Sequence, residues 1–172
     1  MKKRDIIIKS NYALIPLTQN KLTIIDLEDV ERVSRYNWHI QKCKKQVYAA
    51  TIDYDINSKT KLILLHRFIL NPPPKKQIDH INRNTLDNRR NNLRICTNRQ
   101  NCRNKPKANK TSSSKYKGVW HNKRNNKWYA IISMDKRKVK QKSHLTEIEA
   151  AKTYDRLALK LFGEFAYLNF PE

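Results

Sequence analysis

Short runs in which apolar and polar positions alternate fill the first third of the chain. Tyr12–Leu17 and Lys21–Leu27 predict a hairpin that turns at Thr18-Gln19-Asn20. Asp26 or Asp29 is placed to cap a short helix through Glu31, Val33, Tyr36 and Trp38. Gln46–Asp55 predicts a further strand with Val47, Ala49 and Thr51 on one face, and Leu62–Leu70 an apolar helix or strand-to-helix segment. Asn71-Pro72-Pro73-Pro74 ends that segment, because proline cannot continue a helix. Gln77–Ile81 and Leu93–Cys96 then predict two antiparallel strands around the turn formers Asn82, Asn84, Asp87 and Asn88, with Thr97 capping a helix to about Asn104. Beyond Lys115 the pattern changes to three strands, Tyr116–Trp120, Trp128–Met134 and Arg137–Ser143. Thr146 and Glu149 form a capping box for a helix from Glu147 to about Phe162 that stops at Gly163. Its apolar stripe is Ala151, Tyr154, Ala158 and Leu161, widened by Ala150 and Leu157, and the alanines let it lie close on the sheet.

The fold class expected is α+β, in four pieces. They are a small N-terminal module over 1–62, a strand–loop–strand–helix motif over 63–104, an extended linker over 105–114, and a three-stranded antiparallel sheet packed on one helix over 115–172. The linker, Lys-Pro-Lys-Ala-Asn-Lys-Thr-Ser-Ser-Ser, has no hydrophobic period with which to bury a core.

Charge narrows the partners. With 37 Lys and Arg against 15 Asp and Glu, the 172 residues carry a formal charge of +22, which points to a polyanion held largely through counterion release. No apolar run approaches the length of a membrane span, and the N-terminal isoleucines are too few for a secretory core. The expected setting is the cytoplasm of a bacterial or phage-infected cell. Cys43, Cys96 and Cys102 form no Cys-x-x-Cys pair, so structural zinc is not expected. Two glycines in the whole chain leave no phosphate-cradling loop and disfavour nucleotide hydrolysis.

Candidate chemistry gathers at Asp79-His80. Asp79 offers hard oxygens suited to Mg²⁺, and His80 is the side-chain type that takes a proton near neutrality. Between His66 and Lys110 there are 12 basic and 2 acidic residues, one of them Asp79. Arg67, Arg89, Arg90, Arg94, Arg99 and Arg103 are candidate phosphate clamps. Tyr36, Trp38 and Tyr48 read as core residues ahead of base-stacking ones, and His66 as a packed structural histidine ahead of a ligand.

Two resemblances add to this reading. From Leu65-His66-Arg67-Phe68 through Asp79-His80-Ile81-Asn82 to Asn92-Leu93-Arg94 and Asn101, the chain resembles the HNH endonucleases, whose fold is the ββα-metal motif. The resemblance implies Asp79 and Asn101 as metal ligands, His80 as the general base, and Asn92 as the residue orienting the imidazole. Ser114-Lys115-Tyr116-Lys117-Gly118-Val119, Lys127 to Ile132, Glu149 to Asp155 and Leu168-Asn169-Phe170-Pro171 resemble the Apetala-two, or ethylene-responsive-factor, DNA-binding domain. That resemblance implies a sheet lying in the major groove and contacts from Lys117, Trp120, Asn122, Arg124 and Trp128. Packing is an equal reading of Trp128, and Trp120, Asn122, Ile131 and Ser133 depart from the plant pattern.

Together these lead to the expectation of a homing-type HNH endonuclease acting as a monomer on double-stranded DNA. It would use Mg²⁺ or Mn²⁺ and no other small-molecule cofactor. The rivals are a DNA-binding regulator with a degenerate nuclease fold and a basic RNA-binding or ribosome-associated protein.

Overall fold

The computed structural model describes residues 4–44, 46–54, 60–107, 112–134 and 137–171. They fall into two compact units, Met1–Asn98 and Arg99–Glu172, and the architecture is α+β, built from small antiparallel sheets with few helices.

In the first unit, β1 (Ile7–Ile8), β2 (Ala13–Pro16) and β3 (Leu22–Ile25) form an antiparallel meander. The β2–β3 turn places Gln19 and Asn20 at φ 60° and 52°, where the expected turn lay. Alternation buries Ala13 and Ile15 on one strand and Thr23 and Ile25 on the other, so a polar threonine stands among the inward residues. The helix expected through Trp38 is shorter: a 3₁₀ turn at Leu27–Asp29 leads into α1 (Val30–Ser34). Neither Asp26 nor Asp29 caps it with its side chain. The Asp29 carboxylate is instead fully buried and bonded to Arg32 and Arg90.

A second sheet follows, with β4 (His39–Cys43), β5 (Gln46–Tyr54) and β6 (Thr60–Leu64) in that order. The apolar segment after it turns directly from strand into α2 (Leu65–Leu70), which ends at Asn71 in the left-handed region (φ 42°), just before the prolines. β7 (Gln77–His80) pairs antiparallel with β8 (Leu93–Cys96), and α3 (Asn98–Arg103) follows.

One core joins both sheets, α1, α2 and the β7–β8 hairpin. Ala13, Ile15 and Ile25 pack with Val33, Trp38 and Ala49 and with Leu65, Ile69, Ile78 and Leu93, so residues on both sides of position 62 share it. Trp38 is its largest side chain. Its indole N–H donates to Val33 O at 2.9 Å, and Tyr36 and Phe68 meet it edge-on. Burying an indole with its N–H satisfied is what makes Trp38 a core residue here.

In the second unit, β9 (Val119–Asn122), β10 (Lys127–Met134) and β11 (Arg137–His144) form a sheet with β10 in the centre, and α4 (Glu147–Phe162) packs on it. The core is small: Val119, Ala130 and Ile132 from the sheet, Ala150, Ala151, Tyr154 and Ala158 from the helix. Both halves of the capping box are formed. Gly118 has φ +71°, and a β-carbon there would lie 2.0 Å from the Tyr154 ring, so only glycine fits. Asp155 accepts the backbone N–H groups of Asn169 and Phe170, and the Asn169 amide bonds both backbone groups of Lys117, tying tail, helix and sheet together. Of the expected linker, residues 108–111 lie outside the described residues.

Candidate active site

β7 delivers Ile78, Asp79 and His80 in succession to buried positions. Antiparallel register sets Asp79 opposite Arg94 and His80 opposite Leu93. Arg94 Nε and Nη2 both donate to Asp79 Oδ2, at 2.9 and 2.6 Å, and both side chains are nearly buried. The carboxylate is thereby held at one oxygen by a guanidinium.

The loop from Ile81 to Asn92 is closed by its own side chains. Asn82 N–H donates to Asn92 Oδ1 at 2.9 Å, Asn92 Nδ2 donates to Asp87 O at 2.8 Å, and Ile81 N–H donates to Asn92 O. Asp87, also buried, accepts both Arg89 nitrogens at 2.8 Å and Asn82 Nδ2 at 2.9 Å. The Arg89 hydrogen bond is the main cause that lowers the Asp87 carboxyl below its usual range.

His80 Nε2 lies 3.2 Å from Asn88 Oδ1. Asn88 contacts the imidazole, and the Asn92 amide bonds Asn82 N–H and Asp87 O in the loop. Burial holds the His80 pKa below the ordinary value, against the Asn88 hydrogen bond and the Asp79 and Asp87 charges, which pull it up. His66, from α2, sets its ring edge-on to His80 at 5.2 Å, and Tyr48 lies 5.5 Å from His66 and 6.4 Å from His80. Burial, helped by the neighbouring His80 and Arg67, lowers the His66 pKa to about 3, so this second imidazole is neutral and packed.

Three arginines proposed as phosphate clamps have intramolecular carboxylate partners. Arg89 forks onto Asp87, Arg94 onto Asp79, and Arg90 onto Asp29 at 3.0 and 2.8 Å with Glu28 beside it. Carboxylate pairs of this kind tie these side chains into the loop and its neighbours. Arg67 donates to Lys76 O at 3.1 Å. Asn101 and Arg99 lie on α3, and the Arg103 guanidinium covers the Phe162 ring at 4.4 Å within the second unit. The ligand role of Asn101 rests on the resemblance alone.

In the second unit the sheet separates the expected contacts. Trp120 pairs with Tyr129 on the outer face, 43% exposed, while Trp128 pairs with His121 on the side facing the core. Trp128 is partly buried against the core of this unit. The Lys117 ammonium is bound to the carbonyls of Arg103 and Lys105, both at 2.6 Å, and lies over Tyr167, which makes it a tether in this structure. Asn122 Oδ1 accepts Arg124 N–H and shapes the β9–β10 turn, where Arg124 is exposed.

Sequence reasoning missed Asn88 as an imidazole partner, naming it only as a turn former, and missed Thr23 and Tyr48 near the site. It also missed the Asp79–Arg94 pair, although opposed strands at 77–80 and 93–96 place those positions across from each other.

Among the described residues no three of His, Cys, Asp and Glu come together as a ready cation cage. A single strand-borne carboxylate is still a fitting hard donor for a divalent ion that keeps most positions for water and phosphate. Asp79 is the residue that would hold it, sharing its charge with Arg94.

Residues 71–103 match the family model described as HNH endonuclease. An uncharacterized HNH endonuclease of Acanthamoeba polyphaga mimivirus is 31% identical over 164 residues, covering 92% of this chain and 80% of the viral protein. No solved structure matches the chain. The matched stretch contains both strands of the β7–β8 hairpin and the buried Asp79-His80 pair at the end of β7. The chain belongs to the HNH endonuclease family.

Proposed function

We propose that the protein is a metal-dependent endonuclease that hydrolyses phosphodiester bonds in double-stranded DNA, of the homing type, with its second unit docking on the target. The observation that carries this reading is the Asp79-His80 pair, buried side by side at the end of β7, with the imidazole fastened to Asn88.

His80 acts as the general base. Burial lowers its pKa and so favours the neutral imidazole, the form that can take a proton from water. Asn88 holds the ring so that its basic nitrogen keeps one direction. Asp79 supplies the carboxylate for a divalent cation, Mg²⁺ or Mn²⁺, with Asn101 as the second ligand the resemblance assigns. When bound, the ion neutralises charge on the scissile phosphate and the departing oxygen. Asn92, Asp87 and Arg89 keep the loop closed around this pair.

Docking is assigned to the outer face of the β9–β11 sheet, in the manner of the Apetala-two resemblance. Trp120, Tyr129 and Asn122 share that face, and Arg124 projects from the turn beside it. One Asp-His pair per chain makes a nick the product expected of a monomer. The test is plasmid relaxation by the purified protein with Mg²⁺ or Mn²⁺, and again with a chelator. Cutting that needs the ion supports the reading. Tight binding without cutting under any divalent ion would replace it with the alternative, a non-cleaving regulator on a degenerate nuclease fold.

A further inference from the structure

His80 and Asn88 are joined to a residue far outside the nuclease motif. Thr23, on β3, is fully buried, and its hydroxyl lies 2.7 Å from Leu86 O and 2.7 Å from Asn88 Nδ2. The same two stretches are clamped by their backbones. Ile24 N–H donates to Leu86 O at 2.9 Å, Asn88 N–H donates to Ile24 O at 2.8 Å, and Ile24 bridges Asp87 in parallel. The threonine hydroxyl is therefore held at a fixed place against the site loop.

The donor and acceptor roles along this chain of groups are forced one after another. A backbone carbonyl only accepts, so the single Thr23 hydroxyl proton points to Leu86 O. The Thr23 oxygen is then an acceptor toward Asn88, and the end of the Asn88 amide that faces it must be the NH₂. The other end, facing His80, must be the carbonyl oxygen, which again only accepts. His80 Nε2 must then carry the proton, and in the neutral ring the lone pair falls on Nδ1. Were Asn88 turned over, its NH₂ would face the imidazole and favour the opposite tautomer, which is why amide and imidazole assignments have to be read together.

We propose that Thr23 is a positioning residue of the nuclease site: its hydroxyl sets the orientation of the buried Asn88 amide and, through it, the Nε2–H tautomer of His80. The inference rests on the reading of His80 as general base, and it gives the N-terminal meander a part in the reaction. Thr23 never meets the substrate, and its influence runs through the imidazole. The relay makes Nε2 the protonated nitrogen and leaves Nδ1 as the basic one.

The experiment uses the full chain with ¹⁵N- and ¹³C-labelled histidine, the His80 signals being assigned by their loss in His80→Ala. Nitrogen and Cδ2 shifts distinguish the two neutral tautomers directly. The wild-type protein and Thr23→Ser should show Nε2–H. Thr23→Val, which keeps the shape and deletes the hydroxyl, should show an admixture of Nδ1–H. It should also lower the single-turnover cleavage rate by roughly 10²-fold with DNA affinity unchanged, as expected for a misplaced catalytic group. Thr23→Ser should recover most of that loss. An Nδ1–H ring in the wild-type protein would overturn the proposal without any variant, so a valine variant that fails to fold leaves it decidable. It is equally overturned by a Thr23→Val protein with wild-type tautomer and rate. Absence of cleavage by the wild-type protein, with the Nε2–H tautomer present, would instead count against the nuclease reading and leave the relay standing.

Discussion

The two units bury very different material. Around β7 and β8 the interior holds Asp29, Thr23, Asp79, His80, Asp87, Asn88 and Asn92, nearly every one tied to another of the set or to an arginine. Under α4 the apolar cluster is alanines, a valine, an isoleucine and one tyrosine, with Thr153 and Asp155 the buried polar residues of the helix. Burying polar groups is costly unless each is paired. The first unit carries most of that cost around β7 and β8, where the proposed chemistry is placed. The second keeps a mainly apolar core and leaves Trp120 and Tyr129 on its outer face, to which docking is proposed.

The largest expected effect comes from breaking the polar cluster at its charge. Asp79→Asn preserves shape but leaves the nearly buried Arg94 without its anion, which should cost about 3–5 kcal/mol of stability. Cleavage should fall by at least about 10²-fold, with partial rescue by raised Mn²⁺. Denaturant unfolding and single-turnover rates measure the two parts. Unchanged stability would mean that the Arg94 pair is not buried as described.

Breaking the apolar core should act elsewhere. Gly118→Ala drives a methyl into the Tyr154 ring at a positive φ, and about 2–4 kcal/mol should be lost from the second unit. Hydrogen exchange read by residue should show opening in β9, β10 and α4, with β7 and β8 as protected as before. Loss of protection in both would show that the units do not fold separately.

How legible each region is from sequence follows from the same contrast. Local signals governed the second unit: Thr146 and Glu149, the alanine stripe of α4 and its stop at Gly163 all act within a few residues. The hairpin, its turn formers and the Asp79-His80 pair were local too. The partners were not. Thr23 lies 65 residues from Asn88 and Asp29 lies 61 from Arg90, and no periodicity carries such pairings. Arg90 and Arg94 read as phosphate clamps because their carboxylates are distant in sequence or across a strand, whereas the Asp87 partner of Arg89 is only two residues away. A polar residue on the inward face of β3 was the available hint, and only the fold shows what it meets.

A smaller, pH-dependent effect separates buried imidazoles from exposed ones. The His66 pKa is near 3 folded against about 6.5 unfolded, so the unfolded chain binds the extra proton between those values. Stability is therefore intact above about pH 6.5 and falls on acidification, by about 2 kcal/mol from this residue between pH 7 and pH 5. Denaturant midpoints across that range should lose this slope in His66→Gln. A wild-type slope of the same size in the variant would assign the effect to other groups.

The smallest stability effect belongs to the outer sheet face. Trp120→Ala should change stability by about 1 kcal/mol or less yet weaken DNA binding by about 1–3 kcal/mol, as loss of a stacking aromatic does. Trp128→Ala should do the reverse, destabilising the unit through its core-facing ring. Equal effects from the two would erase the distinction between the faces.

The central claim is that His80 performs the chemistry at an ion-dependent site, and single-turnover cleavage by His80→Ala tests it most directly. With DNA binding measured on the same preparations, the variant should bind as the wild type does and cut about 10²- to 10⁴-fold more slowly, and a chelator should silence the wild type. A variant that cuts at the wild-type rate, or a wild type indifferent to the chelator, would contradict the account.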